Sequence, residues 1–440
     1  MLSTVFLTLA AALLQACTAS PVLSPLPVSE GLQFPKPIPP KKDPWYTPPD
    51  KHWVSKPPGT LLRVREAPGN FTLLKHAHKV YNLMFRTTNS QNQSEWAVTT
   101  VFFPKSPAIS KDGVLPLLSY LIPYESACLD ASPSYSLSEY LAGERLNVAV
   151  RDNIVKALGN GWLVDIPDYE GPKASYFAGQ MAGHATLDSI RAHLKVFAEH
   201  MPLIKLRYAM LGYSGGAQAV EFAAELQLKY APELIFSGAA LGGVPANALD
   251  FFRACSGTIW SGAVVQAIVG VMNQFDKVEQ YAMSLLKREK RDEFLSAREM
   301  TIDESLRRFA NKNISNYFKT GEDGMENVIS KEVLASDCTM GNLGTPQMPM
   351  FIYQSIHDEA MPIKNTDVLV EQHCNNGTKI TFERNTIGGH REGGVNAFRS
   401  VWRFLGEVMG GNYTTPSKCN ITDTSYNFTL TSDGISSLRR

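Results

Sequence analysis

The chain has 440 residues, of which 44% are hydrophobic, so it is long and apolar enough to form one large core or two domains. Its 42 lysine and arginine side chains balance 42 aspartate and glutamate side chains, and no long run of one sign occurs. A chain without a net electrostatic field does not attract nucleic acid, and we therefore exclude nucleic acid as a partner.

The N-terminus is typical of a signal peptide, which we assign to residues 1–19. An apolar run from residue 5 to residue 14 is followed by Cys17, Thr18 and Ala19, although no basic residue precedes the run. A membrane-spanning helix needs about 20 apolar residues, and no later stretch is comparable. We therefore predict a secreted, extracellular protein. Residues 14–17 (LQAC) also resemble a bacterial lipid-attachment box, which would anchor Cys17 instead.

Residues 20–60 are predicted to form a proline-rich arm that lies on the body of the protein. The stretch from residue 21 to residue 58 holds twelve of the 27 prolines. Proline lacks a backbone donor and fixes φ, so this composition excludes regular helix and disfavours the interior of a sheet.

The segment 61–242 is predicted to be the first part of an α/β core, and 344–440 the second part. Buried strands are predicted at 114–122, 161–166, 206–211, 234–241, 349–353 and 380–382, with helical periodicity at 187–197 and 216–230. Strands separated by helices indicate right-handed crossovers and a mostly parallel sheet, so the fold class is α/β.

The stretch 211–220 (LGYSGGAQAV) places Ser214 in a G-x-S-x-G pattern between a predicted strand and a predicted helix. In a nucleophile elbow the serine lies on the sharp strand-to-helix turn, and glycines two residues away let the crowded backbones approach each other. An ordinary serine in a small-residue loop is the alternative. The flanking strand and helix favour the elbow.

The interval 243–343 breaks the strand–helix rhythm and is too long for one crossover. It contains an apolar helical stretch at 264–275 and a charged one around 287–308. We predict a helical cap inserted above the sheet. The apolar stretch either lines an acyl-binding tunnel or packs the core of the cap, and we favour packing.

A general base and its orienting acid are expected after later strands, in the chain order serine, acid, histidine. Asp358 follows the predicted strand 349–353, and His390 follows 380–382. Because the carboxyl ends of parallel strands meet at one edge of the sheet, both side chains are expected near Ser214. His390 would take the serine proton, and Asp358 would hold the imidazole tautomer.

Other residues compete for these roles. Glu359 is an alternative to Asp358, and otherwise a surface carboxylate. His357 is the neighbouring ring, more typical of a loop residue, and His184 lies too early in the chain for the base.

The oxyanion of an acyl-transfer intermediate needs two backbone donors. The first is expected at Gly215, directly after the nucleophile. The second is expected in the loop 123–126, where we choose Glu125 because the usual HGGG loop is absent. An ordinary polar turn is the alternative for this loop.

Five cysteines follow residue 17, and an oxidising compartment would pair four of them. Cys374 with Cys419 is the first choice, and one of Cys128, Cys255 and Cys338 would then stay free. Seven N-x-S/T sequons predict glycosylation in a eukaryotic secretory pathway. They begin at Asn70, Asn92, Asn313, Asn376, Asn412, Asn420 and Asn427.

No cofactor and no metal are predicted. The sequence has no HExxH or C-x-x-C pattern, and neither the P-loop nor the dinucleotide-binding glycine pattern is present.

Several blocks together resemble the fungal secretory lipases, the lipase A-like branch of the α/β-hydrolases. They are residues 124–126, 133–135, 167–171, 187–192, 212–216, 242–245, 358–362 and 388–390, and His390 follows Asp358 at a separation of 32 positions. The resemblance implies a triad at Ser214, Asp358 and His390 and an oxyanion pair at Glu125 and Gly215. It also implies a helical cap and a C-terminal lid-like flap over an acyl-binding tunnel.

Two departures from the family pattern are visible. The family usually has aspartate where this chain has Glu125, and a cysteine near Ala131 is missing, which puts a disulfide between core and cap in doubt.

These observations predict a secreted serine ester hydrolase of lipase type that cleaves acylglycerol esters. The alternative is a short-chain esterase that removes acetate from a fungal secondary metabolite, as trichothecene esterases do. An inactive hydrolase-fold binding protein and a peptidase are further alternatives. The expected partner is an ester substrate, either an acyl lipid or an acylated small molecule. We expect a monomer and leave transient contact with a lipid interface open.

Overall fold

The computed structural model describes residues 34–143, 147–431 and 434–437. The predicted signal peptide therefore lies outside the described residues. Within these ranges, ten strands form one sheet in the order β1-β2-β3-β5-β4-β6-β7-β8-β9-β10. The strands are β1 Leu61–Glu66, β2 Ala77–Thr88, β3 Ser94–Pro104, β4 Val114–Leu121, β5 Leu163–Pro167, β6 Lys205–Tyr213, β7 Ala239–Gly242, β8 Met350–Ser355, β9 Ile380–Asn385 and β10 Asn420–Thr424.

The sheet is mixed, with a parallel majority. Pairing is antiparallel along one end of the sheet, from β1 through β2 and β3 to β5. From β5 onward, through β4, β6, β7, β8 and β9 to β10, every pair is parallel. The central strands are apolar along nearly their whole length because helices cover both faces of the sheet. The predicted α/β class is confirmed.

The helices of the core lie on the two faces of this sheet. They are α1 Pro133–Ala142, α2 Val148–Gly159, α3 Gly179–His200, α4 Gly215–Tyr230, α12 Ile363–Asn375, α13 His390–Asn396 and α14 Phe398–Gly410, where the intervening numbers belong to the segment between β7 and β8. Side chains of α3, α4 and α12 form the apolar core on one face, and those of α1, α2 and α14 form the core on the other.

The chain between β7 and β8 is helical and has a hydrophobic core of its own. Its helices are α5 Ala248–Cys255, α6 Ser261–Gln274, α7 Asp276–Leu285, α8 Arg291–Leu295, α9 Ile302–Phe309, α10 Glu322–Glu326 and α11 Lys331–Asp337. The apolar side chains of α6 are fully buried in that core, which is the packing alternative of the sequence analysis. Short 3-10 helices occur at Lys51–Ser55, Phe71–Leu73, Leu129–Ala131, Arg288–Lys290, Ser296–Glu299 and Ile314–Tyr317.

The described part of the arm, from residue 34 to residue 60, contacts the antiparallel end of the sheet. Tyr46 packs with side chains of β1, β2 and β3, and its hydroxyl shares a hydrogen bond of 2.6 Å with the hydroxyl of Ser134 on α1. Asp43 forms an ion pair with Arg65, whose guanidinium lies 4.1 Å from the centroid of a Trp45 ring. These contacts fix the arm to the body.

Two local predictions are wrong in part. Of the strand predicted at 234–241, only β7 forms, because the side chain of Ile235 is 81% exposed and its N–H binds the hydroxyl of Tyr208. The charged stretch around 287–308 is not one helix. It is divided into short helical pieces that end at Leu295, Glu299 and Phe309. The last break occurs because Met300 and Thr301 are extended, and Thr301 forms a capping box with Glu304 that starts a new helix.

Of the two expected disulfides, one forms among the described residues. Cys374 and Cys419 form a disulfide, which joins α12 to the segment before β10. The expected second disulfide is absent, since Cys128, Cys255 and Cys338 are all free and buried. The thiols of Cys255 and Cys338 each donate to a backbone carbonyl, of Ala360 and of Phe177 respectively.

The C-terminal segment continues the sheet and then leaves it. After β10, a two-stranded hairpin of β11 Phe428–Thr431 and β12 Gly434–Ser437 lies against α13 and α2. Among the described residues, no helix combines the length and the apolar character needed to cross a membrane.

Candidate active site

Ser214 lies on the turn between β6 and α4, with the backbone angles φ 54° and ψ −122°. This conformation is strained for a residue other than glycine, and it aims the side chain away from the sheet. The neighbouring glycines are required by space. A Cβ atom at Gly212 would lie 2.3 Å from the carbonyl oxygen of Gly216, and one at Gly216 would lie 1.9 Å from that of Leu121.

The structure brings Ser214, His390 and Asp358 into one hydrogen-bonded row. Nε2 of His390 lies 3.0 Å from Oγ of Ser214. Nδ1 of His390 lies 2.9 Å from Oδ2 of Asp358 and 3.1 Å from Oδ1. All three side chains are buried, at 6% exposure or less. A hydroxyl, an imidazole and a carboxylate in this order have the geometry of a nucleophile, its general base and the group that orients the base.

The loop after β8 holds the carboxylate of Asp358 in place. Its Oδ1 also accepts the backbone N–H groups of Ala360, at 3.1 Å, and Met361, at 2.7 Å. These two N–H donors fix the orientation of the carboxylate. Asp358 is therefore held as an acceptor for the ring of His390.

The charges around His390 favour its protonated form. Burial by itself lowers the pKa of this imidazole, but the carboxylates of Asp358, Glu125 and Glu359 outweigh that effect and raise the pKa above its ordinary value. An imidazole poised in this way accepts a proton readily.

The residues chosen for the oxyanion site are in direct contact. The backbone N–H of Gly215 donates to Oε1 of Glu125 over 2.7 Å, so the side chain of Glu125 occupies the donor that we assigned to the oxyanion. Glu125 has a φ of 45°, a left-handed conformation that few residues other than glycine adopt. The expectation concerned the backbone N–H of Glu125. The structure also places its carboxylate in the site.

The competing residues are in other positions. Glu359 binds the backbone N–H of His390 and not its ring. His357 is exposed. His184 is buried against Tyr230, with 4.0 Å between the ring centroids, and burial lowers its pKa to about 4. The imidazole next to Ser214 belongs to His390.

A cavity of about 450 Å³ opens beside Ser214 and His390. It has apolar walls from the cap, among them Trp260, Ile302 and Leu306. Its polar lining includes Asn147, Asn153, Asp303 and Arg391. Such a cavity is large enough for a small organic molecule or for part of a larger ester.

Another group of titratable side chains lies where α4 and α12 meet. Glu221, Glu225 and His373 are buried and close enough together to hold a metal ion. These side chains already have hydrogen-bond partners in the protein. Nε2 of His373 lies 2.6 Å from Oε1 of Glu221, and the carboxylate of Glu225 accepts the N–H groups of Gly341 and Leu343. This arrangement suits an internal hydrogen-bonded network. Burial and the neighbouring carboxylate raise the pKa of Glu225 to about 7.

The sequence analysis did not identify Trp260 or Tyr213 as part of the site. The Trp260 indole and the His390 ring meet edge to face, with centroids 5.3 Å apart, and the Tyr213 hydroxyl donates to the carbonyl of His390 over 2.5 Å. Tyr213 could have been identified from the sequence, because it directly precedes Ser214. Trp260 could not, because it lies 46 residues further along the chain from Ser214 and contacts the site only through the tertiary fold.

A family model described as "Secretory lipase" matches residues 148–398. The chain is 40% identical over 407 residues to a trichothecene C-3 esterase of Fusarium sporotrichioides, and the matched region covers 90% of each chain. It is 34% identical over 363 residues to lipase A of Arthroderma benhamiae, covering 80% of this chain and 76% of that one.

Further similarity extends to a solved structure. The chain is 32% identical over 384 residues to a secreted triacylglycerol lipase of Malassezia furfur, covering 84% of this chain and 76% of that one. Its fold matches the closed state of Candida antarctica lipase A with a TM-score of 0.78 and 26% identity, covering 87% of this chain and 90% of the other.

Proposed function

Because the chain belongs to the secretory lipase family and is a carboxylic ester hydrolase of lipase type, we propose that Ser214, His390 and Asp358 are its catalytic residues. The observation that carries the proposal is the hydrogen-bonded row from Oγ of Ser214 through His390 to Asp358.

In this mechanism Oγ of Ser214 attacks the ester carbonyl carbon while Nε2 of His390 takes the hydroxyl proton. Collapse of the tetrahedral intermediate breaks the bond to the alcohol oxygen, which leaves with that proton, and an acyl-enzyme remains. Water then attacks the acyl carbon, with His390 again as base, and the carboxylic acid is released. Asp358 stabilises the imidazolium at each stage through the bonds to Nδ1.

The oxyanion would be held by the backbone N–H of Gly215 and by that of residue 125. The carboxylate of Glu125 now accepts the first of these donors. One N–H cannot donate fully to both the Glu125 side chain and the oxyanion, so the side chain has to turn away before the intermediate forms.

The substrate class that we propose is acylglycerol esters. Relatives named as lipases support it, and so does the apolar side of the cavity at Trp260, Ile302 and Leu306. In this proposal the helical segment 243–343 is a cap over the core segments 61–242 and 344–440, and the C-terminal hairpin is a flap at its rim.

The test is hydrolysis of p-nitrophenyl esters from acetate to palmitate by the secreted protein, its Ser214→Ala variant and a Ser284→Ala control. Ser284 is exposed on α7. We expect the loss of at least about four orders of magnitude in kcat for Ser214→Ala, full activity in the control, and a preference for long chains. Activity that survives in Ser214→Ala contradicts the assignment of the nucleophile.

A second candidate is a short-chain esterase that deacylates an oxygenated small molecule. Two observations favour it: the 40% identity to a trichothecene C-3 esterase, and the polar lining of the cavity by Asn147, Asn153 and Asp303. Amide and carboxylate groups would bind the hydroxyl and ether oxygens of such an alcohol. A preference for acetate over palmitate in the same ester series would favour this function.

We also propose that the protein is exported, glycosylated and monomeric, with transient contact at a lipid interface. Six of the seven predicted glycosylation sites have exposed side chains, and Asn70 is partly buried. Treatment of the secreted protein with an N-glycosidase is expected to lower its apparent mass, and size-exclusion chromatography with light scattering is expected to give the mass of one chain.

A further inference from the structure

The cap contacts the proposed catalytic base directly through Trp260. This residue precedes α6, and its ring lies nearly perpendicular to the His390 ring, at an interplanar angle of 87°. Arg391 directly follows His390, and its guanidinium lies 5.1 Å from the centroid of the Trp260 ring. Trp260 also forms a wall of the cavity beside Ser214.

Glu359 connects this tryptophan to the histidine. One carboxylate oxygen, Oε1, accepts the indole N–H of Trp260 over 3.0 Å, and the other, Oε2, accepts the backbone N–H of His390 over 2.9 Å. The space between them is closely filled, since a Cβ atom at Gly389 would lie 2.3 Å from Oε2. One carboxylate thus joins the cap to the backbone of the base.

We propose that Glu359 and Trp260 are positioning residues for His390, through which the placement of the cap controls the alignment of the base with Ser214. The inference rests on the proposed function, in which His390 is the base. Glu359 fixes the backbone of residue 390, and the Trp260 indole packed against the imidazole limits its rotation. The hydrogen bond from the indole N–H to Glu359 links both residues to the start of α6. A base moved by a fraction of an ångström no longer bonds Oγ of Ser214.

The charge of Glu359 adds a second effect on His390. Burial alone would raise the pKa of Glu359, but the N–H donors around it and the nearby His390 hold that pKa below its ordinary value, so the group is ionised wherever the enzyme works. The other titratable or charged groups that face His390 come from four elements. They are Glu125 after β4, Tyr213 on β6, Asp358 after β8 and Arg391 on α13, with the thiol of Cys255 on α5 near the two carboxylates of the β8 loop.

The experiment measures kcat and kcat/KM for p-nitrophenyl butyrate from pH 5 to pH 9 with four purified proteins. They are the wild type, Glu359→Gln, Trp260→Phe and the control Glu371→Gln, which removes an equally exposed charge from α12. Ser214→Ala is measured beside them, so that a failure of the proposed function is seen separately. Circular dichroism and thermal unfolding check that each variant is folded.

Removal of the Glu359 charge lowers the pKa of His390, because a carboxylate stabilises the imidazolium. We therefore expect the acidic limb of the Glu359→Gln profile to move to lower pH by about half a unit, with kcat reduced about fivefold, the equivalent of one lost hydrogen bond. Trp260→Phe keeps the ring but loses the N–H. It is expected to lower kcat about fivefold with the limb in place.

The matched control is expected to reproduce both the wild-type rates and the wild-type limb. If Glu359→Gln has the rates and the limb of the wild type while Ser214→Ala is inactive, the positioning role is wrong and the proposed function stands. If Ser214→Ala is active, the proposed function fails first. A rate loss in Glu359→Gln without any movement of the limb also overturns the inference, because a purely structural role would do the same.

Discussion

At the scale of single residues, Glu125 is unusual because its side chain lies where we propose that the ester oxygen becomes negative. Its carboxylate accepts the Gly215 N–H, and the left-handed φ of the residue turns the side chain back into the site. The side chain of Glu125 therefore occupies the backbone N–H that we propose as an oxyanion donor.

A substitution at this position is expected to open the site. Glu125→Ala keeps the backbone N–H of residue 125 and removes the competing carboxylate. We expect an alkyl boronic acid, which binds as a tetrahedral anion, to inhibit this variant about tenfold more tightly than the wild type, since a charge-assisted hydrogen bond no longer has to be displaced. Inhibition constants measured at constant pH test this.

Glu125→Asp serves as the matched control for charge. It retains the carboxylate on a side chain one methylene shorter, and we expect an inhibition constant between those of the wild type and Glu125→Ala. Equal or weaker binding by Glu125→Ala would mean that the carboxylate does not obstruct the oxyanion.

At the scale of elements, the turn from β6 to α4 determines where the serine lies. The helix begins directly after Ser214, and its first turn passes so close to β4 that only hydrogen fits at Gly216. The parallel pairing of β4 with β6 brings Leu121 opposite Gly212, which creates the crowding. The glycine pattern in the sequence is thus a consequence of packing between two strands and a helix.

The glycine requirement can be tested with a pair of alanine substitutions. Gly216→Ala would place Cβ 1.9 Å from a backbone oxygen, and we expect the free energy of unfolding to fall by about 3 kcal/mol or more, with activity lost. The control is Gly406→Ala on α14, where no atom lies within 4 Å of the new Cβ. That change is expected to raise the free energy of unfolding by about 1 kcal/mol.

Urea unfolding followed by circular dichroism measures both variants. A Gly216→Ala protein as stable and active as the wild type would contradict the close approach of α4 to β4.

At the scale of the whole molecule, a buried carboxylate connects the arm, the sheet and α1. Asp168, just after β5, accepts the backbone N–H and the hydroxyl of Ser134, and that hydroxyl also meets the Tyr46 hydroxyl of the arm. Burial raises the pKa of Asp168 to about 7, against the hydrogen bonds from Ser134, which lower it. The folded protein therefore favours the protonated form of this side chain.

The sign of the pH dependence follows from this shift. A carboxylate whose pKa is raised on folding contributes stability that is fully present below its ordinary pKa of 3.8 and is lost as the pH rises through about 7. We expect the difference in unfolding free energy between the wild type and Asp168→Asn to change by about 3–4 kcal/mol over that range. The wild type becomes less stable relative to the variant as the pH increases.

Urea unfolding of both proteins between pH 4 and pH 8 gives this difference directly. Asp50→Asn, which removes an exposed carboxylate of the arm, is the control and is expected to show a flat difference. A flat difference for Asp168→Asn would mean that the group is ionised in the folded protein at every pH tested.

Much of the fold and of the candidate site followed from local patterns. The apolar runs that form β4, β6 and β8 are continuous because both faces of the sheet are covered. The residue types of these strands therefore indicate their burial. The order of Ser214, Asp358 and His390 along the chain also suited the edge of a parallel sheet, where the structure brings them together. The long antiparallel strands β2 and β3 were not among the predicted strands.

The chain by itself therefore determined the α/β class, the elbow at Ser214 and the residues after β8 and β9, because each depends on periodicity, glycine or position at a strand end. Tertiary structure alone decided that Trp260 meets His390, that the Glu125 carboxylate reaches Gly215, and that Cys255 and Cys338 stay unpaired. These are contacts between segments far apart in sequence, and their formation depends on how the cap packs over the sheet. A short-range pattern carries no information about that packing.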